Sequence, residues 1–290
     1  MKKKSMPEFN GGKKQQLNED LGKKLDNIAS NDSNIHKKGF LPILVFMLII
    51  VSVLWGTDYL QFDYQRLVEG TFEMFKIFKL MIPPDLTEWR DVFEGLLETF
   101  QIAWLGTIIA SIIAFLLCFL GAANVSPMPL LVMIVRGFAA IMRAIPALVW
   151  ALIFVAALGL GPLPGILAIG IHGTGMQIRV FSDSIEEIDS GILEALKASG
   201  ANWFQMISRG VLPAIWPSLL GWFLLRLDID LRYSSVMGIV GAGGIGWLLT
   251  RAMRMYQFKK ALFIVIVIFS MLFLIERLNV YIKSKVLRLH

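Results

Sequence analysis

Cysteine is almost missing from this chain. Its 290 residues include one, Cys118, which excludes an intramolecular disulfide framework and any metal cluster built on several thiolates. Histidine is scarce as well: His36 and His290 lie in the terminal stretches and only His172 lies between them. A histidine-rich metalloenzyme core is therefore excluded. Charged side chains make up 17% of the chain, against about 25% in an ordinary soluble domain. The first 39 residues take nine lysines and five acids of that small stock. With 56% apolar residues and a mean hydropathy of +0.65, the chain is neither a soluble globular enzyme nor a disordered scaffold. Its net charge of +6 fits lysines anchoring helices on the cytosolic side of a membrane better than it fits a nucleic-acid partner. No G-x-x-x-x-G-K-[ST] occurs, so the chain carries no P-loop for nucleotide phosphates.

What is present is a series of long apolar runs. A helix needs about 20 mostly apolar residues to cross a hydrocarbon core about 30 Å thick. Residues 39–57, 99–135 and 144–178 are free of charge. The second run is broken by AANVSPMP at 122–129 and the third by GLGPLPG at 159–165, because clustered proline and glycine cannot continue a helix. The expected spans are an anchor at about 40–60, then 97–120, 144–160, 165–181, 215–236 and 261–281. The fold class is thus all-α and polytopic, with about six transmembrane helices.

Charge sets the orientation. Residues 1–39 carry nine lysines against five acids, and 56–94 carry four basic and eight acidic residues. By the positive-inside rule the tail is cytosolic and 61–94 is external. Six spans return residues 283–290 to the cytosol. The tail is too long and too basic for a signal peptide, so the first span reads as a retained anchor and the tail itself as disordered. Residues 62–94 mix aromatics and charges at helical spacing, which suits either an amphipathic segment in the outer interface or a packed external loop. One stretch opposes the charge rule: 247–260 falls outside by parity, yet holds Arg251, Arg254, Lys259 and Lys260 without an acid.

The longest internal hydrophilic stretch is 181–217, with the expected loop at 183–216. Asp189 or Ser190 is placed to cap a helix starting near Gly191, and Gly200 permits the chain to reverse after it. A second helix over about 201–210 is expected to end at Leu212–Pro213, where the next span opens. Two short cytosolic helices without a nucleophile, paired carboxylates or metal ligands form a mechanical contact rather than a catalytic site.

EALKASG at 194–200, nine further residues and then GVLP at 210–213 resemble the EAA loop of ATP-binding-cassette importer permeases. Glu194, Ala195, Gly200, Leu212 and Pro213 match the family pattern. Leu196 stands where the second alanine belongs and Gly210 where an isoleucine belongs. RAIPALVWALIFVAALGLGPLPGILAIGIH at 143–172 and LRYSSVMGIVGAGGIG at 231–246 are similar to the phosphonate-type branch, and the resemblance covers about 120–282. It implies a type I importer permease core over 95–282 with an extra N-terminal anchor helix, in a bacterial cytoplasmic (inner) membrane, with both termini cytosolic. It implies a pair of permeases, a cytosolic ABC ATPase dimer that binds ATP and Mg and presses on the EAA helices, and an extracytoplasmic solute-binding protein. The permease itself performs no covalent chemistry, binds no cofactor and contacts membrane lipid. Phosphonate is the implied solute, with phosphite, phosphate or another small oxyanion as the alternative.

Several intramembrane features suggest a solute path. Arg226 and Asp230 are four apart, as are Asp228 and Arg232, so both pairs can form on different faces of one helix. They read either as neutralised structural pairs or as an arginine fork for phosphonate oxygens. His172 is either a bonded core histidine or a solute contact. Arg136 and Arg143 share a face at the cytosolic edge of the third span. Gly241, Gly243 and Gly246 spell G-x-G-x-x-G, but no strand–helix alternation surrounds them and the next acid is Glu276, against a dinucleotide site. Gly241, Gly243 and Gly244 instead suit non-helical backbone at membrane depth, packed closely or offering N–H groups to an anion. An ion-driven secondary transporter is the rival class. It calls for carboxylates in both of two inverted repeats, whereas Asp228 and Asp230 share one span.

Overall fold

The computed structural model describes residues 22–23 and 42–287, with side chains through residue 284. The basic tail at 1–39, apart from that pair, and residues 288–290 lie outside the described residues. The chain forms two compact units divided after Glu73.

The first unit holds α1 (Pro42–Tyr59), which is apolar along its length and has no buried residue. Such a helix needs lipid around it. The second helix, α2 (Tyr64–Met81), starts in this unit and ends in the next. Asp63 caps it by accepting the Arg66 N–H at 3.0 Å. No residue of α2 is buried. At 100° per residue, Leu67, Met74, Phe75 and Phe78 share one face, while Gln65, Glu69, Glu73 and Lys76 share the other.

The second unit is the core. It contains α3 (Trp89–Gly121), α4 (Pro129–Ala144), α5 (Ala147–Leu158), α6 (Pro162–Glu186), α7 (Ser190–Ala198), α8 (Trp203–Met206), α9 (Leu212–Met237), α10 (Ile245–Arg254) and α11 (Phe258–Leu287). A π-helical turn, Ile207–Val211, joins α8 to α9, and a 3₁₀ turn, Gly238–Val240, follows α9. Helices α3, α4, α5 and α9 all pack on α6. Lipid gives no hydrophobic reward for pairing helices, so close approach of small residues does the work. A β-carbon on Gly175 of α6 would stand 2.6 Å from the Ala139 carbonyl of α4.

By length and composition four helices can cross a membrane: α1, α3, α11 and the continuous Trp203–Val240 rod. A bent pair, α4 with α5, makes a fifth. The remaining expected span, the fourth at 165–181, corresponds to α6, whose 25 residues have the length, about 37 Å at 1.5 Å per residue. Its glycines and polar side chains lower its apolarity, and they are mostly buried against neighbours.

Two expectations need correction. The third span is not one helix over 144–160. It begins at Pro129 and bends by 81° between Ala144 and Ala147. The sequence break at 122–129 is real, but apolar residues resume at once, and the sharper break is Pro146. Proline has no N–H for the Met142 carbonyl and pushes Ile145 into an extended conformation (φ −89°, ψ 121°). The Met142 carbonyl accepts the Trp150 indole N–H instead, at 3.3 Å. The Ile145 carbonyl is contacted by His172 Nδ1 at 3.2 Å. The second correction is at Pro213, which does not end the preceding helix. The π turn widens the ladder so that the Leu212 N–H reaches the Ile207 carbonyl, and the chain runs on into α9.

Candidate functional site

The hairpin between α6 and α9 is built from local signals. Asp189 caps α7 by accepting the Gly191 N–H at 2.8 Å. The chain reverses at Gly200, whose φ of +77° is left-handed. Its N–H donates to the Lys197 carbonyl at 3.0 Å and the Ala201 N–H to the Leu196 carbonyl at 3.1 Å, the double bond of a Schellman motif. Asn202 and Gln205 then form a reciprocal capping box on α8. Leu193, Met206 and Val211 point into a core cluster with Cys118, Phe181 and Ile215. Glu194, Ala195, Ile192 and Phe204 stay exposed, Phe204 at 75%. The hairpin therefore presents a short surface of mixed charged and apolar side chains on a firmly seated base. Leu212 and Pro213 form the first turn of α9 behind it.

A turn next to the hairpin carries bonds that sequence spacing did not reveal. The Trp203 indole N–H donates to the Val125 carbonyl at 2.9 Å. Asn124 donates to the Ile185 carbonyl at 2.8 Å, and the Ala123 N–H donates to Glu186 Oε1 at 2.6 Å. Arg136 pairs with Glu186 and donates through Nε to the Gly121 carbonyl at 2.8 Å. Burial alone would raise the Glu186 carboxyl. The hydrogen bonds from Arg136 and Ala123 and the nearby guanidinium charges outweigh it and hold the group below the ordinary carboxylate range.

In the membrane interior both expected ion pairs exist, on different faces of α9. Arg226 and Asp230 are 2% and 0% exposed. Arg226 Nε donates to Asp230 Oδ2 at 2.9 Å, and Nη2 lies 2.6 Å from Oδ1 in an ion contact off the hydrogen-bond line. Thr107 on α3 donates to the same carboxylate at 2.8 Å, a partner that sequence spacing cannot supply. Arg232, half exposed, contacts Asp228 at 3.2 Å and Glu276 of α11 at 3.6 Å. His172 packs edge-on against Tyr233, with ring centroids 6.1 Å apart, in addition to its Ile145 contact.

The glycine turn is left-handed at Gly241, Gly243 and Gly244. The Ile245 N–H donates to Thr99 Oγ1 at 2.8 Å, and the Gly161 N–H donates to the Gly241 carbonyl at 3.0 Å. A β-carbon on Gly243 would stand 2.7 Å from Glu98 Oε1, and one on Gly244 would stand 2.5 Å from Thr99 Oγ1. Close packing, with a carboxylate beside it, describes this turn better than an open anion cradle.

The basic stretch 247–260 takes in most of α10, an amphipathic helix with Arg251 and Arg254 in its last turn. Lys260 forms an ion pair with Glu88, and the Asp85 N–H donates to the Lys259 carbonyl at 3.2 Å. The lysines at 259–260 thus meet the acidic segment before α3, at the end of that helix opposite Gly121. Among the described residues no group of His, Cys, Asp and Glu is arranged to hold a metal ion.

Comparison with known proteins agrees with this architecture. The chain is 38% identical over 234 residues to the phosphate-import permease protein PhnE of Mycolicibacterium smegmatis, a match that covers 81% of this chain and 43% of that protein. It is 34% identical to the phosphite transport system permease protein PtxC of Stutzerimonas stutzeri, covering 85% of this chain and 87% of the relative. An inward-facing structure of the MetNI methionine ABC transporter matches 67% of this chain and 95% of its own, with a TM-score of 0.59 at 22% identity. That likeness carries the all-helical type I importer permease fold. Residues 114–288 match the family described as binding-protein-dependent transport system inner membrane component, and the chain belongs to that family.

Proposed function

We propose that the chain is the membrane-channel subunit of an ATP-driven importer for a small phosphorus oxyanion, phosphonate first, working by alternating access. The observation that carries this reading is the hairpin over 190–206. Its apolar side is locked into the core, while Glu194, Ala195 and Phe204 stand free to meet another protein. ATP and Mg belong to a cytosolic ABC ATPase dimer that receives this surface, since the chain has no P-loop of its own. A second copy of the permease and an extracytoplasmic solute-binding protein complete the assembly. The hairpin end faces the cytosol together with both termini, and the 85–88 and 258–260 end faces outward. Helix α2, with one apolar and one polar face, lies in the outer interface of the membrane.

The solute assignment is supported by relatives named for phosphite and phosphate and by the phosphonate-type stretches 143–172 and 231–246. Arg226 serves as the partner of Asp230 rather than as a solute contact, because the pair is closed off within the protomer. His172, Tyr233 and the Arg232–Asp228 pair are accessible polar groups of this region.

The test is uptake by the chain reconstituted with its ATPase and binding protein, using methylphosphonate, phosphite and phosphate as competing solutes. Methylphosphonate should win, and its uptake should stop when the ATPase is inactivated. A preference for phosphite or phosphate would change the solute and keep the machinery. Uptake that survives ATPase inactivation and follows an ion gradient would overturn the reading.

A further inference from the structure

The hairpin leaves its base by two routes. One is covalent: α6 runs through residues 187–189 into α7, and the π turn carries α8 directly into α9. The other two core helices at this end, α3 and α4, have no such backbone link to the hairpin. They meet instead at the turn after α3, residues 122–126, whose Ala122 and Val125 are buried in the same cluster as Leu193 and Met206 of the hairpin. Trp203, the first residue of α8, is hydrogen-bonded to that turn. From there Asn124 leads to the Ile185 carbonyl of α6, and Ala123 to Glu186. Glu186 leads on to Arg136 of α4, which also holds the last carbonyl of α3, that of Gly121.

We infer that the 122–126 turn is a relay, with Trp203 as its input and Asn124 and the Glu186–Arg136 pair as its outputs, passing displacement of the hairpin to α3 and α4 and keeping them in step with α6. This rests on the reading that the hairpin docks on an ATPase. The chemistry fits the task. Every link except the Arg136–Glu186 ion pair is a directional bond to a backbone carbonyl or N–H, so it transmits position and not only proximity. The indole N–H is a single donor with no acceptor role, and it is spent on Val125. If only α6 and α9 followed the hairpin, their packing on α3, and that of α6 on α4, would have to break in every cycle. A shared link lets the four helices move together. Trp203 and Asn124 are positioning residues, and the coupling they carry is read by the variants below.

The experiment uses the full transporter in proteoliposomes, with whichever of methylphosphonate, phosphite or phosphate the unaltered protein moves fastest. Three quantities are read per folded transporter: ATPase co-purification, ATP hydrolysis and solute uptake. Trp203→Phe removes the indole donor and keeps a ring. It should retain the ATPase at the native level and lower uptake per ATP about fivefold, the factor corresponding to one ordinary net hydrogen bond. Asn124→Ala should do the same, and the double variant should fall no further than either single one. Unchanged uptake per ATP in Trp203→Phe overturns the relay, and so do fully multiplicative losses in the double variant. Lost ATPase binding in Trp203→Phe also overturns it, by placing Trp203 in the docking surface. If Asn124→Ala folds poorly, Trp203→Phe alone decides. The underlying reading fails separately: Phe204→Glu, on the exposed tip, would then leave ATPase co-purification untouched.

Discussion

Leu196 Cδ1 lies 2.3 Å from where a β-carbon on Gly210 would stand. These are the two positions where the hairpin departs from the importer-permease pattern. The larger side chain at 196 occupies the space vacated at 210, so the two departures form one volume-conserving exchange across the hairpin base.

Gly210→Ile alone should overpack this contact and destabilise the chain by about 1–3 kcal/mol. Leu196→Ala alone should leave a gap and cost about 2–4 kcal/mol. The double variant, which restores the family pair, should recover most of both losses. Detergent thermal melts of all four forms would check this, and additive losses would mean that the contact is not what ties the two departures together.

The buried pair on α9 makes a second prediction. Removing one partner, as in Asp230→Ala, leaves an uncompensated buried charge and should cost about 3–5 kcal/mol. Exchanging the residues, Arg226→Asp with Asp230→Arg, keeps the charges but takes the carboxylate away from the Thr107 hydroxyl. Folding and uptake should largely survive the exchange. A well-folded exchange variant without uptake would return Arg226 to the solute path.

Glu186 gives a pH dependence with a definite sign. Its folded pKa is depressed below the ordinary value of 4.5. The group therefore adds stability that is fully present above the unfolded value and is lost as the pH falls through the folded one. Melting temperature should drop more between pH 7 and pH 4 in the native chain than in Glu186→Gln. Equal slopes would show that the contacts of Arg136 and Ala123 with this carboxylate contribute nothing to the dependence.

Of the basic stretch 247–260, the Lys260 charge is met by Glu88, and the side of the membrane on which this end lies is open to a direct test. Cysteines at these two positions should form a crosslink under mild oxidation. A cysteine at Arg254 should react with an impermeant thiol reagent added outside spheroplasts. Reaction only after permeabilisation would put this end in the cytosol and invert the topology.

Much of this was legible in the residues. Asp189 as a cap, Gly200 as a reversal and the two i, i+4 pairs follow from local spacing, which a helix converts directly into contact. The bend at Pro146 was hidden because the flanking residues are uniformly apolar, and a charge-free run does not show where a helix turns. Pro213 was misread as a stop because a π turn has no compositional mark. The bonds of Trp203 to Val125 and Asn124 to Ile185 join residues 78 and 61 positions apart, and nothing in spacing announces them. Thr107 beneath Asp230 was invisible for the same reason.

The corner between α4 and α5 has a mechanical consequence. A proline break normally leaves a loose carbonyl, and with it a place where the chain can flex. Here the Trp150 indole closes the Met142 carbonyl, and His172 reaches the one at Ile145. The bend is therefore a bracket and not a hinge: α4 and α5 keep their angle and swing as one piece. Any opening of the channel must be taken up at the ends of that bracket, and Trp150→Phe would turn a fixed elbow into a joint.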